Sequence, residues 1–141
     1  TMPGTIRAFD TDMQRDIHAR IRHVAGAIAE ANRAHATVTI DKAVPVTSND
    51  PALTEKMLPT LKRIAGDGKL RLQPRVMVAE DFSYFQEKVP GLFYFVGITP
   101  PSQDMAQAEP NHSPRFFIDE SGLLAGARSL AALAVDFLMA R

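Results

Sequence analysis

The chain has 141 residues, of which 45% are hydrophobic, enough for one domain or two small units with a packed core. Sixteen basic residues balance sixteen acidic ones, so no net field favours nucleic acid or an anionic membrane. Cysteine is absent, which excludes disulfides, thiolate metal ligands and a cysteine nucleophile and leaves the redox compartment open.

In chain order, residues 4–9 alternate like a short strand. Asp10, Thr11 and Asp12 supply N-cap candidates and first-turn acids. Met13, Ile17, Ile21, Val24, Ile28 and Ala31 then recur at spacings of 4, 4, 3, 4 and 3, one apolar stripe on a helix. Residues 36–40 alternate again and are rich in β-branched side chains, predicting a second strand that continues through residues 42–46 until Pro45 interrupts it. Ser48, Asn49 and Asp50 before Pro51 announce a helix over residues 51–65, with Pro59 expected to kink or divide it. After Gly66 and Gly68, residues 70–76 read as a possible strand. Residues 79–85 read as a short helix beginning near an acidic pair, and Val89-Pro90-Gly91 as a turn. Residues 92–98 are nearly all apolar or aromatic, as in a strand buried on both faces. Residues 99–111 form a loop, and residues 119–121 cap a last helix over 122–140 with Leu123, Ala127, Leu130, Ala134, Phe137 and Leu138 facing inward. An uninterrupted apolar run of about 18 residues is absent, which argues against a membrane span. The N-terminus carries no secretory leader pattern, and a cytoplasmic location is expected.

Three places carry candidate chemistry. His112, in Asn111-His112-Ser113-Pro114-Arg115-Phe116, sits in a proline-flanked loop ahead of Asp119-Glu120. That setting suits a metal ligand; the plainer alternative is a loop histidine bonded to backbone. Glu80 and Asp81 at a helix start are either a cap and dipole partner or carboxylates near a metal or its water. Arg7 within an alternating segment is either solvent-exposed or presents its planar fork to a substrate carboxylate. The other histidines, His18, His23 and His35, sit on or just after the first helix and suit solvent, interface or helix-end positions. Ser113 has no local base to make it a nucleophile. No phosphate-binding glycine loop, H-E-x-x-H or G-x-S-x-G pattern occurs. An open hydrolytic zinc-type site needs about three protein ligands, and these residues supply one convincing candidate.

Taken in order, Gly4-Thr5-Ile6-Arg7-Ala8-Phe9-Asp10, Asn49-Asp50, Ala79-Glu80-Asp81-Phe82-Ser83, Val89-Pro90-Gly91-Leu92-Phe93, and Asn111-His112-Ser113-Pro114 with Asp119-Glu120 resemble the metal-dependent amidohydrolases and metallopeptidases of the aminoacylase, hippurate hydrolase, auxin-conjugate hydrolase and glutamate carboxypeptidase group. The resemblance covers nearly all of the chain and corresponds to the C-terminal part of such an enzyme. It implies an α/β fold. Residues 1–48 would be the second half of a ferredoxin-like lid and dimerisation domain, built strand–helix–strand. Residues 49–141 would be the C-terminal segment of a phosphorylase/hydrolase-like dinuclear-metal catalytic domain.

The resemblance further implies His112 as a metal ligand and Arg7 as the grip on the substrate carboxylate, with Glu80, Asp81 and Ser113 on the active-site wall. It implies two divalent metal ions (Zn, Mn, Co or Ni) in the intact enzyme and a metal-bound water that cleaves the amide bond of N-acyl or N-aroyl amino acids or small peptides. The group's remaining metal ligands and its general-base glutamate have no matching positions here. The isolated chain is therefore expected to be inactive without the N-terminal part of the same enzyme, and the intact enzyme to pair as a homodimer through the lid. The rival expectation is a non-enzymatic interaction module that pairs through an open sheet edge.

Overall fold

The structure is a computed structural model that describes residues 1–41 and 44–140. Its regular elements are helices: α1 (Thr11–Ala31), α2 (Pro51–Ala65), the single turn α3 (Ser83–Gln86) and α4 (Ser121–Met139), with a 3₁₀ turn at Met105–Gln107. Among the described residues there is no strand, which overturns the expected α/β class and the ferredoxin-like half-lid. The physical reason lies in how the two kinds of structure form. Alternation and β-branching prepare a segment for a sheet, but a strand exists only through a ladder with a neighbour. Residues 4–9, 36–40, 70–76 and 92–98 find no such ladder, whereas each helix closes its hydrogen bonds within itself. The strand's expected passage through residues 42 and 43 lies outside the described residues.

The chain divides into two compact units: Thr1–Asn49 with Pro74–Gly91, and Asp50–Gln73 with Leu92–Arg141. In the first, α1 starts where the sequence signals it. The Asp10 carboxylate accepts from the Met13 amide at 2.8 Å, with Asp10 in extended backbone. The helix ends in a Schellman pair: the Arg33 amide donates to the Glu30 carbonyl at 2.9 Å and the Ala34 amide to the Ala29 carbonyl at 2.8 Å, with Arg33 at φ 55°. No α1 residue is fully buried. Its half-buried positions include Gln14, His18, Ala25 and Ala29, about a quarter-turn away from most of the apolar stripe, of which Met13, Ile21, Val24 and Ile28 are exposed. Gln86 of α3 ties the rest of the unit together. Its side-chain oxygen accepts from the Ser48 amide at 3.1 Å, and its amide nitrogen donates to the Asn49 side chain at 3.3 Å and the Gly91 carbonyl at 3.4 Å. A Cβ at Gly91 would stand 2.6 Å from the Gln86 side chain and 3.2 Å from the Phe82 ring, so a larger residue there would displace the Gln86 side chain.

In the second unit, the Asp50 carboxylate caps α2 by accepting from the Leu53 amide at 2.7 Å, with Pro51 in the first turn. Pro59 does not divide the helix, which runs on as one element. An interior proline costs about 3 kcal/mol, and packing offsets that cost: Met57, Thr60 and Leu61, on both sides of Pro59, are buried. The contact is with α4. There the Thr60 hydroxyl donates to Asp136 Oδ2 at 2.6 Å and Arg63 pairs with the same oxygen at 2.7 Å. Lys56 lies 4.7 Å from the centre of the Phe137 ring.

The face of α4 that packs is not the one its hydrophobicity predicts. Gly122, Gly126, Ser129, Ala132, Leu133 and Asp136 are buried or half-buried, while Leu123, Ala127, Leu130, Ala134, Phe137 and Leu138 are all exposed. Small side chains allow the close approach. A Cβ on Gly122 would meet the Gly97 carbonyl oxygen and Ile98 Cγ2 at 3.0 Å, and one on Gly126 would meet Val96 at 3.6 Å. The Ser129 and Tyr94 hydroxyls bond at 2.7 Å, and the Asp119 amide donates to the Ile98 carbonyl at 2.7 Å. The α4 helix is long and apolar enough to cross a membrane by length and composition. Only 6% of that span is buried here, and Asp136 of α4 holds an ion pair with α2.

Candidate functional site

The candidate residues fall into two clusters, one in each unit. In the first unit, residues 4–9, 39–41, 44–47 and 76–79, with Gln14 and His18 of α1, line an open concavity of about 430 Å³. Arg7 Nη1 donates to the Met77 carbonyl at 2.8 Å, which binds the first of these segments to the last. That bond engages one of the five N–H donors of a guanidinium. His18, expected at a solvent or interface position, lies in this wall through its place on the half-buried face of α1.

Glu80 and Asp81 follow directly on that wall. The Glu80 carboxylate accepts from the Phe82 amide at 3.3 Å, and its carbonyl accepts the Ser83 amide at 3.1 Å and hydroxyl at 2.6 Å. The Asp81 carbonyl accepts from the Tyr84 amide at 3.1 Å. Both acids therefore help to form the turn that opens α3, and Ser83 is fully buried there.

His112 and Ser113 stand in the second unit. The Ser113 amide donates to the Pro110 carbonyl at 3.1 Å, closing a turn over residues 110–113. His112 occupies its third position with φ 74°. Turns with a positive angle there favour Gly or Asn, and a residue with a Cβ on that side costs about 1–2 kcal/mol. The imidazole is exposed. Ser113 is committed to the loop: its hydroxyl donates to Glu109 Oε2 at 2.9 Å and accepts from the Arg115 amide at 3.2 Å. Arg115 Nη2 pairs with the other oxygen of Glu109 at 2.5 Å. Glu109 carries no motif of its own in the sequence. Its signal was an acid four residues ahead of a serine across a Pro-led turn, a spacing that carries meaning only once the turn is known.

Beyond this loop, Asp119 Oδ1 accepts from the Ser121 amide at 2.9 Å at the start of α4. That backbone bond, followed by the Ser121 hydroxyl, holds the Asp119 carboxyl below its ordinary range. Asp136 is lowered too, by the Thr60 hydroxyl first and then by Arg63.

A family model described as Peptidase family M20/M25/M40 matches residues 4–136. The chain belongs to that family. Thermostable carboxypeptidase 2 of Saccharolobus solfataricus is 32% identical over 137 residues, covering 96% of this chain and 34% of the relative. An IAA-amino acid hydrolase of Arabidopsis thaliana is 32% identical over 139 residues, covering 96% of this chain and 30% of its own. The N-acetyldiaminopimelate deacetylase of Enterococcus faecalis is 32% identical over 120 residues, covering 83% and 31%. The chain thus spans about a third of the length of the curated relatives it matches. No solved structure matches it significantly. That family is one of hydrolases and is generally metal-dependent. Among the described residues, however, no three His, Asp or Glu side chains converge as a metal would require. One exposed imidazole does not fit a divalent ion by itself, so no chemical step can be routed through a metal held by these residues alone.

Proposed function

We propose that this chain supplies part of the reaction centre of an amidohydrolase or carboxypeptidase acting on N-acyl or N-aroyl amino acids or small peptides. The observation that carries this reading is the family match over residues 4–136, in a chain about a third as long as its relatives. The names of those relatives, a carboxypeptidase, an IAA-amino acid hydrolase and an N-acetyldiaminopimelate deacetylase, support a substrate of that kind. In this reading His112 contributes one ligand to a centre of two divalent ions (Zn, Mn, Co or Ni) that other polypeptide completes. Such ions polarise a carbonyl and lower the pKa of bound water. Arg7, on the wall of the first unit's concavity, orients the substrate carboxylate through a guanidinium fork.

The test uses a polypeptide of relative-like length that carries this chain. His112→Ala should lower its metal content and abolish hydrolysis of an N-acyl amino acid, and Arg7→Ala should raise KM more than it lowers kcat. Unchanged metal content in His112→Ala refutes the assignment. The rival module pairing through an open sheet edge loses its basis, because the described residues contain no strand to offer one.

A further inference from the structure

We propose that Glu109 is the positioning residue for His112; the inference rests on the reading of His112 as a functional imidazole. His112 stands at positive φ in a turn whose third position ordinarily takes Gly or Asn. Such a conformation persists in a non-glycine residue only where its surroundings over-determine it. Three contacts do so here, and all converge on one carboxylate or its partner hydroxyl. Glu109 Oε2 accepts from Ser113 Oγ at 2.9 Å. Its other oxygen pairs with Arg115 at 2.5 Å. The Ser113 hydroxyl in turn accepts from the Arg115 amide at 3.2 Å. The residue just before the turn is thereby tied to the residues one and three places after His112.

The carboxylate is also placed to hold the loop while leaving the imidazole outward. Glu109 and Ser113 are half-buried, whereas His112 is exposed. A carboxylate accepting two donors from one side of a turn fixes the backbone angle, and with it the direction in which the imidazole leaves the chain. Ser113 is thus a relay between Glu109 and the turn.

Solution NMR of this chain tests the idea through the His112 intraresidue amide-to-Hα NOE, which is strong only at positive φ. In Glu109→Ala that NOE should be lost, falling to the level of residues with negative φ. In Glu109→Gln, which keeps an oxygen for the Ser113 hydroxyl, it should be retained. Ser113→Ala should reproduce the loss, and serves if Glu109→Ala fails to fold. An unchanged NOE in Glu109→Ala, or one lost equally in the Gln variant, overturns the proposal. A second arm uses the relative-length polypeptide with zinc as the probe. There Glu109→Ala should lower occupancy at limiting zinc, the Gln variant should restore it, and excess zinc should recover kcat with KM unchanged. Equal zinc occupancy in Glu109→Ala and the parent would overturn the role toward His112. If His112→Ala leaves metal content untouched, the functional reading fails, whatever the NOE shows about the turn.

Discussion

Two glycines on the packed face of α4 make opposite predictions from one substitution. Replacing an interior helical glycine by alanine gains about 1 kcal/mol of helix propensity. At Gly126 the new methyl would lie 3.6 Å from Val96 Cγ2, an ordinary contact, so Gly126→Ala should keep that gain. At Gly122 the methyl would lie 3.0 Å from both the Gly97 carbonyl oxygen and Ile98 Cγ2. The oxygen belongs to backbone, and its neighbour, the Ile98 carbonyl, holds the Asp119 amide at 2.7 Å, so this segment yields little. Overpacking costs about 1–3 kcal/mol, and Gly122 lies in the first turn, where propensity gains are smallest. Gly122→Ala should therefore lose about 1 kcal/mol net. For a unit of under about 100 residues that is a fall in Tm of about 4–8 °C, with a rise of similar size for Gly126→Ala. Thermal unfolding followed by far-UV circular dichroism reads both. If the two variants shift Tm in the same direction, the close approach of α4 to residues 96–98 is wrong.

Asp136 carries an acid dependence. Its folded-state pKa lies below the unfolded value, through the Thr60 hydroxyl and then Arg63, so its stabilising contribution is complete above about pH 4 and is lost as pH falls through the folded-state value. Urea unfolding should show Asp136→Asn less stable than the parent at neutral pH, with the gap closing on acidification; a gap that widens would contradict the contacts. Met57, buried on α2 at 4% exposure, should cost about 2–5 kcal/mol when replaced by alanine. Chemical denaturation measures this, and a loss below about 1 kcal/mol would place Met57 outside the core.

The helix starts were legible because their signals are local. Asp10 before Thr11 and Asp50 before Pro51 each cap the helix they announce. The turn at Gly91 and the short helix near Glu80 were legible for the same reason. The sheet was misread because alternation in residues 4–9 or 92–98 describes a segment and says nothing about a partner for it. Hydrophobicity points to the wrong face of α4, because Gly122, Gly126 and Ser129 admit the neighbouring backbone and Leu123 and Leu130 do not enter that contact. At the candidate site, His112 stood out by its prolines. The angle that makes it unusual, and the carboxylate that sets that angle, belong to the folded loop alone.

The leucines on the outer side of α4 bear on how this chain responds to temperature. Leu123, Leu130 and Leu138 are already more than half wetted when the chain is folded. Melting would bring little additional hydrocarbon into contact with solvent there, and it is newly wetted hydrocarbon that makes the heat capacity of unfolding large. Those three side chains therefore add little to the heat-capacity step of a calorimetric trace, and little to the bend of stability between cold and hot.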